Sequence, residues 1–403
     1  MQISKNRGER RGGDAPAHDA RSIFNILFIT VFSTMIGLGI VIPLLPFYAE
    51  SLGATGFWIG AIFSGYSLSR AIFMPLVGTI SDQRGRKTFL LGGLILYTLL
   101  SFGYILSGTV YSLTAVRFIH GMASAAVIPV AMAYVADVAP TGEEGRYMGT
   151  FSISTYLGMG FGPFMGGLLK DFAGMDAVFL CMAGFSLVSL LICLAFLPES
   201  APSIRARLPV KATLTHPMMR AVMLFQFMNS FANATFWVFL PVAAAILLGL
   251  SPTEIGIAIS LSIFTTAIFQ RPFGQMADRQ NKNLLVVVGS LLVGGSLSVV
   301  PFLDGLPALL AASFGMGIGS AMVIPSATAI TTIIGRDIGQ GTAMGAYNTA
   351  ASIGMIIAPV LSGIVMDLTG IVSVFLLSGV VSLLAVFVFW ASATRSSTVP
   401  ATG

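Results

Sequence analysis

This sequence predicts an all-α polytopic membrane protein: twelve transmembrane helices in two parallel six-helix repeats. Three observations predict it. Hydrophobic residues make up 55% of the 403-residue chain and charged residues only 9%, against about 25% charged in soluble domains. Apolar runs of roughly 20 residues, each long enough to cross a ~30 Å hydrocarbon core as a helix, follow one another along the chain. The sequence also resembles itself at an offset of 196 residues.

In order, the spans read as 23–46, 57–79, 88–107, 112–136, 146–168, 176–197, 218–242, 254–276, 284–303, 306–333, 342–366 and 371–392. The first follows a polar, Arg-rich stretch, 1–22, read as a disordered cytoplasmic tail. That apolar run is too long for a signal h-region and is expected to remain as an uncleaved span. Between spans two and three lies "GTISDQRGRK", residues 78–87, dense in charge for so apolar a chain. There Gly78 is expected to admit close helix approach and Gly85 a tight turn. The sixth span carries Cys181 and Cys193, about 18 Å apart on one helix and therefore beyond disulfide reach. A Pro-rich, basic stretch, 198–217, reads as a cytoplasmic linker between two bundles, 23–197 and 218–392. The eighth span opens on "SPTE", with Ser251 as N-cap, Pro252 at the first helical position and Glu254 completing a capping box. Residues 393–403 read as a second cytoplasmic tail.

The formal charge of +5 invites a nucleic-acid reading, but the cations are placed by topology. An even number of spans puts both tails on one side, and 17 of the 21 Lys and Arg fall there. That is the positive-inside bias, so both termini are expected in the cytoplasm of a bacterial-type inner membrane, with no nucleic-acid partner.

The repeat pairs Gly53, Gly60, Gly78 and Asp82 with Gly249, Gly256, Gly274 and Asp278. It goes on to pair Gly158, Pro163, Gly167 and Asp171 with Gly354, Pro359, Gly363 and Asp367. Eight glycine pairs fall in one register, where about two are expected by chance. Six spans per copy is even, so the copies are parallel, related by a pseudo-two-fold axis along the membrane normal. Two such bundles can rock against each other, which suits alternating access.

All 16 acids lie in tails, loops or near helix ends, so the membrane interior is left positive. Arg70 lies eight residues from the end of its span, and Arg117 and His120 are helix neighbours at i and i+3. Intramembrane ionisable residues are functional candidates by default. On the seventh span Gln226, Asn229, Asn233 and Trp237 form a polar stripe, expected to face a central cavity together with Tyr66, Tyr347 and Asn348. An amide- and aromatic-lined cavity suits amphipathic organic solutes better than inorganic ions. Asp82 beside Arg84, Arg86 and Lys87 can form a breakable charge network. There is no phosphate-binding Gly-rich loop, no metal-ligand cluster and no nucleophile–base motif, so neither an enzyme nor a cofactor is expected.

These residues resemble the major facilitator superfamily. Gly78-x-x-x-Asp82-x-x-Gly85-Arg86-Lys87 resembles its motif between helices two and three, and "RFIHGMASAAVIP" from Arg117 its fourth-helix motif. "GMGFGPFMGG", Gly158 to Gly167, is similar to the G-x-x-x-G-P-x-x-G-G pattern of the twelve-span drug/proton antiporters. The resemblance implies a cytoplasmic latch of Asp82, Arg86 and Asp137, with Gly78 and the repeated Asp278. It further implies proton transfer assisted by Arg117, with His120 where relatives often have Gln. Gly158, Gly162, Pro163 and Gly167 would form a closely packed, flexible hinge.

The expected function is proton-coupled efflux of an amphipathic organic solute by a monomeric secondary transporter. Proton-coupled uptake of a small organic anion or sugar is the alternative, favoured by Arg70 and the missing interior acids. A non-transporting membrane sensor is the third reading.

Overall fold

The computed structural model describes residues 20–140, 142–200, 217–279 and 281–396, with side chains in the last helix through Ala391. Most of the two tails and of the basic linker read from the sequence lies outside the described residues.

The first helix, α1, spans Ala20–Ser51 and bends through a 3-10 turn at Ile42–Leu44. Pro43 and Pro46 remove backbone donors there. Helices α2 (Gly56–Arg84), α3 (Arg86–Ile105) and α4 (Val110–Val138) follow. Glu144–Phe196 is then helical over 53 residues. As one straight rod it would measure about 80 Å at ~1.5 Å per residue, more than twice the hydrocarbon core. It is not a rod. Gly174 adopts φ 83°, ψ 179°, a conformation favoured only for glycine, and the chain reverses there into α5 (144–173) and α6 (175–196). Helix α1 reports the reversal by packing against both: Gly39 faces Gly162, and Gly37 faces Met182 and Phe185.

The second half comprises α7 (Pro217–Leu248), α8 (Pro252–Arg279), α9 (Lys282–Phe302), α10 (Gly305–Ile338), α11 (Gln340–Thr369) and α12 (Ile371–Ser396). Helix α8 begins in the capping box expected for it. Ser251 N–H donates to Glu254 Oε2 at 2.8 Å, and Glu254 N–H to Ser251 Oγ at 3.3 Å. Among the described residues eleven continuous helical stretches have membrane-crossing length and apolarity, and the reversal at Gly174 makes twelve crossings.

Within the first half α1 packs on α5 and α6, α2 on α4, and α3 on α4 and α6. Within the second, α7 packs on α11 and α12, α8 on α10, and α9 on α10 and α12. The halves meet along two seams, α5 with α8 and α2 with α11. Both depend on glycine, because lipid supplies no hydrophobic drive between helices and close van der Waals approach must. A Cβ on Gly60 would run into the Pro359 backbone, and one on Gly363 into Gly56. One on Gly256 would run into Pro163, and one on Gly167 into Pro252. The two seams are copies of each other at the 196-residue offset.

Each seam ends in a carboxylate that crosses it. Asp367 of α11 accepts the first amides of α2, from Gly56 at 2.6 Å and Phe57 at 2.8 Å. Asp171 of α5 accepts Thr253 N–H of α8 at 3.0 Å, and the Thr253 hydroxyl. The first turn of a helix presents unmet donors and partial positive charge, which an acid satisfies. Both caps sit at the end of the bundle opposite the termini, where they bridge the two halves.

Each cap is expected to contribute about 1–2 kcal/mol to the closed seam. Combining Asp171→Ala with Asp367→Ala should raise labelling of a cavity cysteine (Thr155→Cys, with Cys181 and Cys193 replaced by Ala). An impermeant thiol reagent applied to the face opposite the termini reads this. An unchanged labelling rate would show that the seams close without their caps.

Candidate functional site

A cavity of ≈ 330 Å³ lies between the halves, walled by Phe63, Tyr66, Ser67 and Arg70 of α2 and Arg117 and Ile128 of α4. Met35, Leu38 and Ile42 of α1 and Thr155 and Met159 of α5 complete that side, while Ala234, Trp237 and Val238 of α7 and Met355 and Pro359 of α11 face them. Of the residues expected in a central cavity, Tyr66, Arg70, Arg117 and Trp237 line it.

The rest of the α7 stripe does not. Asn233, Asn229 and Gln226 lie about 6, 12 and 16 Å further along the helix from Trp237, at ~1.5 Å per residue. Two of these amides donate within the helix, Asn233 Nδ2 to the Asn229 carbonyl at 2.9 Å and Gln226 Nε2 to Ser230 Oγ at 3.2 Å, while Gln226 Oε1 has no partner among the described residues. Sequence periodicity reads the face of a helix but not the depth at which a cavity stops. Tyr347 instead packs into an apolar cluster with Met219, Val222 and Phe225, and Asn348 is exposed.

In the cavity wall and behind it stands a polar–aromatic cluster. The Arg117 guanidinium, 2% exposed, lies over the rings of Tyr66 at 4.4 Å and Phe63 at 5.2 Å. It also donates to the Tyr104 hydroxyl at 3.4 Å, and that hydroxyl meets His120 Nδ1 at 2.7 Å. Arginine is donor-only, so the Tyr104 oxygen accepts from it and its hydrogen is available for Nδ1. That geometry leaves the proton of a neutral His120 on Nε2, which has no partner. Tyr97, Tyr66 and Tyr104 pack around the imidazole, Tyr97 edge-on at 4.4 Å. Tyr97 and Tyr104 were not singled out by sequence; their spacing of seven on α3 was the available signal.

At the terminal end, Asp82, Arg86 and Asp137 come together. Arg86 is 3% exposed, with Nη1 at 2.6 Å from Asp82 and Nε at 2.7 Å from Asp137. Gly85, at φ 95°, makes the turn that brings α3 back onto α2. Two further residues belong to this network. Glu199, after α6, accepts Lys87 N–H at 3.0 Å at the start of α3, and the Ser200 hydroxyl accepts Arg86 N–H at 2.9 Å. Nothing local signals these two, which stand more than a hundred residues from their partners. The network ties α2, α3, α4 and the end of α6, all in the first half.

Gly78 and Asp278 stand apart from it. A Cβ on Gly78 would meet nothing within 4 Å, so the close approach expected there is absent. Asp278 is exposed and makes no hydrogen bond or ion pair among the described residues. At the 196-residue offset Asp137 becomes Ile333, so the second copy lacks the acid that completes the first.

The segment Gly158–Gly167 is a two-sided seam, and α5 stays helical through it. Gly158 and Gly162 admit α1, where Cβ atoms would approach Met35 Cβ and the Gly39 backbone to 2.5 Å. Pro163 and Gly167 meet α8 instead. Across that interface Phe164 N–H donates to Ser260 Oγ at 3.2 Å.

Comparison with known proteins agrees with this architecture. The Major Facilitator Superfamily model matches residues 27–220 and 222–403. The chain belongs to that superfamily. It is 30% identical over 370 residues to an uncharacterized MFS-type transporter of Methanocaldococcus jannaschii, covering 89% of this chain and 95% of that one. It is 27% identical over 353 residues to the quinolone resistance protein NorA of Staphylococcus aureus, covering 85% and 89%. A bacterial homolog of the human lysosomal transporter Spinster superposes with a TM-score of 0.79 at 12% identity, over 95% of this chain and 98% of that one. The protein is a multi-pass transporter of this superfamily and not an enzyme.

Breaking a buried ion pair from one side costs about 3–5 kcal/mol, whereas the loss is smaller where the removed partner is partly wet. Asp82 is 31% exposed and Arg86 is not. Arg86→Gln should therefore lower the thermal midpoint of the purified protein well beyond Asp82→Asn. Equal shifts would mean that the pair with Asp137 contributes nothing.

Proposed function

We propose that this transporter exports an amphipathic organic solute in exchange for protons, by alternating access across a bacterial-type inner membrane. In this reading both termini are cytoplasmic and the protein works as a monomer. One observation carries export: likeness to a quinolone resistance protein along 85% of the chain, with all five positions of the α5 pattern filled. The cavity agrees in chemistry. Tyr66, Phe63 and Trp237 offer ring faces and Met35 and Met159 adaptable apolar surface. The paired seams favour rocking of whole bundles.

Everted vesicles test the direction. A quinolone should accumulate when the vesicle interior is made acidic, and a protonophore should abolish the accumulation. Accumulation in right-side-out vesicles instead would establish uptake, the second reading, which the cationic cavity wall favours.

Among the described residues no carboxylate lines the cavity, so His120 is the group proposed to exchange the proton. Histidine ordinarily titrates near about pH 6.5, and here it faces Tyr66 of α2, Tyr97 and Tyr104 of α3 and Arg117 of its own helix. His120→Gln should flatten the dependence of transport on pH while leaving substrate-driven counterflow. A pH profile that survives unchanged would move coupling to the acids at the helix ends.

A further inference from the structure

Two guanidiniums line the cavity, and neither meets an anion among the described residues. Arg117 is buried, and its charge is met by two ring faces and one long hydrogen bond, with Nε left without a partner. Arg70, half-buried in the same wall, makes no hydrogen bond or ion pair with any described residue. Among the described residues no wall residue is acidic, and the neutral polar groups there are the hydroxyls of Tyr66, Ser67 and Thr155 and the indole N–H of Trp237. The Tyr66 hydroxyl already donates to Ser124 Oγ at 2.8 Å.

The contrast lies within the same half. Arg86 is as buried as Arg117, but it holds two carboxylates. A cation at membrane depth is costly and ordinarily finds a partner within the bundle. Where this chain needs a guanidinium to hold helices together, it supplies the acids. Around the cavity it supplies none.

The geometry points to an anion subsite: Arg70, with Arg117 behind Tyr66, receives the carboxylate or sulfonate of an amphipathic substrate. A guanidinium presents its donors as a planar fork that matches such a group in bidentate fashion. The aromatic body of the substrate then lies against Trp237 and Phe63. Arg70 is the contacting residue because it is partly open to the cavity. Arg117, fixed by Phe63, Tyr66 and Tyr104, adds its field from behind. A volume of ≈ 330 Å³ admits a two-ring acid. This inference rests on the transport reading above and narrows its substrate to organic anions.

The test is equilibrium binding of radiolabelled 2-naphthoate and of its neutral isostere 2-naphthamide to the purified full chain in nanodiscs. The acid should bind at least about tenfold more tightly than the amide, as a charge-assisted hydrogen bond to a guanidinium implies. Arg70→Gln should erase that ratio, and Arg70→Lys should keep part of it. The amide reports whether the cavity remains formed in each variant. Equal binding of acid and amide, a ratio that survives Arg70→Gln, or binding of neither compound overturns the subsite. Flux of the same pair in proteoliposomes separates the two claims. Transport without discrimination removes the subsite and leaves the transporter, whereas discrimination in binding without any flux keeps the subsite and removes the transport reading.

Discussion

Close backbone crossing at the glycine seams is the constraint on which the rest of the molecule depends. Lipid tails are as apolar as leucine, so two helical bundles in a membrane gain nothing by hiding leucines from solvent, and association must come from packing distance and polar contacts. Here the glycines come in offset pairs, and where a seam needs strength a carboxylate reaches over it to cap the opposite helix. Such an interface is tight but narrow. It joins the halves along two seams without welding them along their length, as the proposed alternating access would require.

Closure and cohesion are thereby assigned to different residues. Asp171 and Asp367 cross between the halves, whereas Asp82, Arg86, Asp137 and Glu199 are confined to the first. The charged turn between α2 and α3 is thus, in this state, a brace for one bundle. An acid that is one-third exposed beside a deeply buried arginine can release or recruit a partner at modest cost. The second contact, from the buried Arg86 to Asp137, joins α3 to α4 in the same half.

The fold was largely legible in the sequence, and the site only in part. Hydrophobic run length and the duplicated glycines report directly on membrane thickness and backbone approach, which are one-dimensional properties. The caps were half visible: Asp171 and Asp367 stood in the repeat register, but nothing in the register says that they reach another helix. Glu199 was invisible, because its partners are distant in sequence and it lies in a stretch whose composition reads as linker. The α7 stripe misled because its amides can bond to their own helix, so a polar face need not mark a cavity. Arg70 and Arg117 were legible, since an ionisable residue well inside an apolar run has few ways to be unimportant.

A duplicated scaffold carries chemistry in one copy only. At the 196-residue offset Tyr66, Arg70 and Tyr97 become Ser262, Thr266 and Val293, while Tyr104, Arg117 and His120 become Val300, Ser313 and Met316. Every titratable or cationic group of the cluster thus stands in the first half, and the second half contributes a largely apolar wall around Trp237. In the proposed alternating access the polar cluster would travel as a unit, and what changes would be the surface that covers it. The hydrogen bonds that link Arg117, Tyr104 and His120 lie within one half and need not break in that motion. A bound solute would be exposed to one side or the other by movement of the apolar wall, while the charge that holds it stays in place.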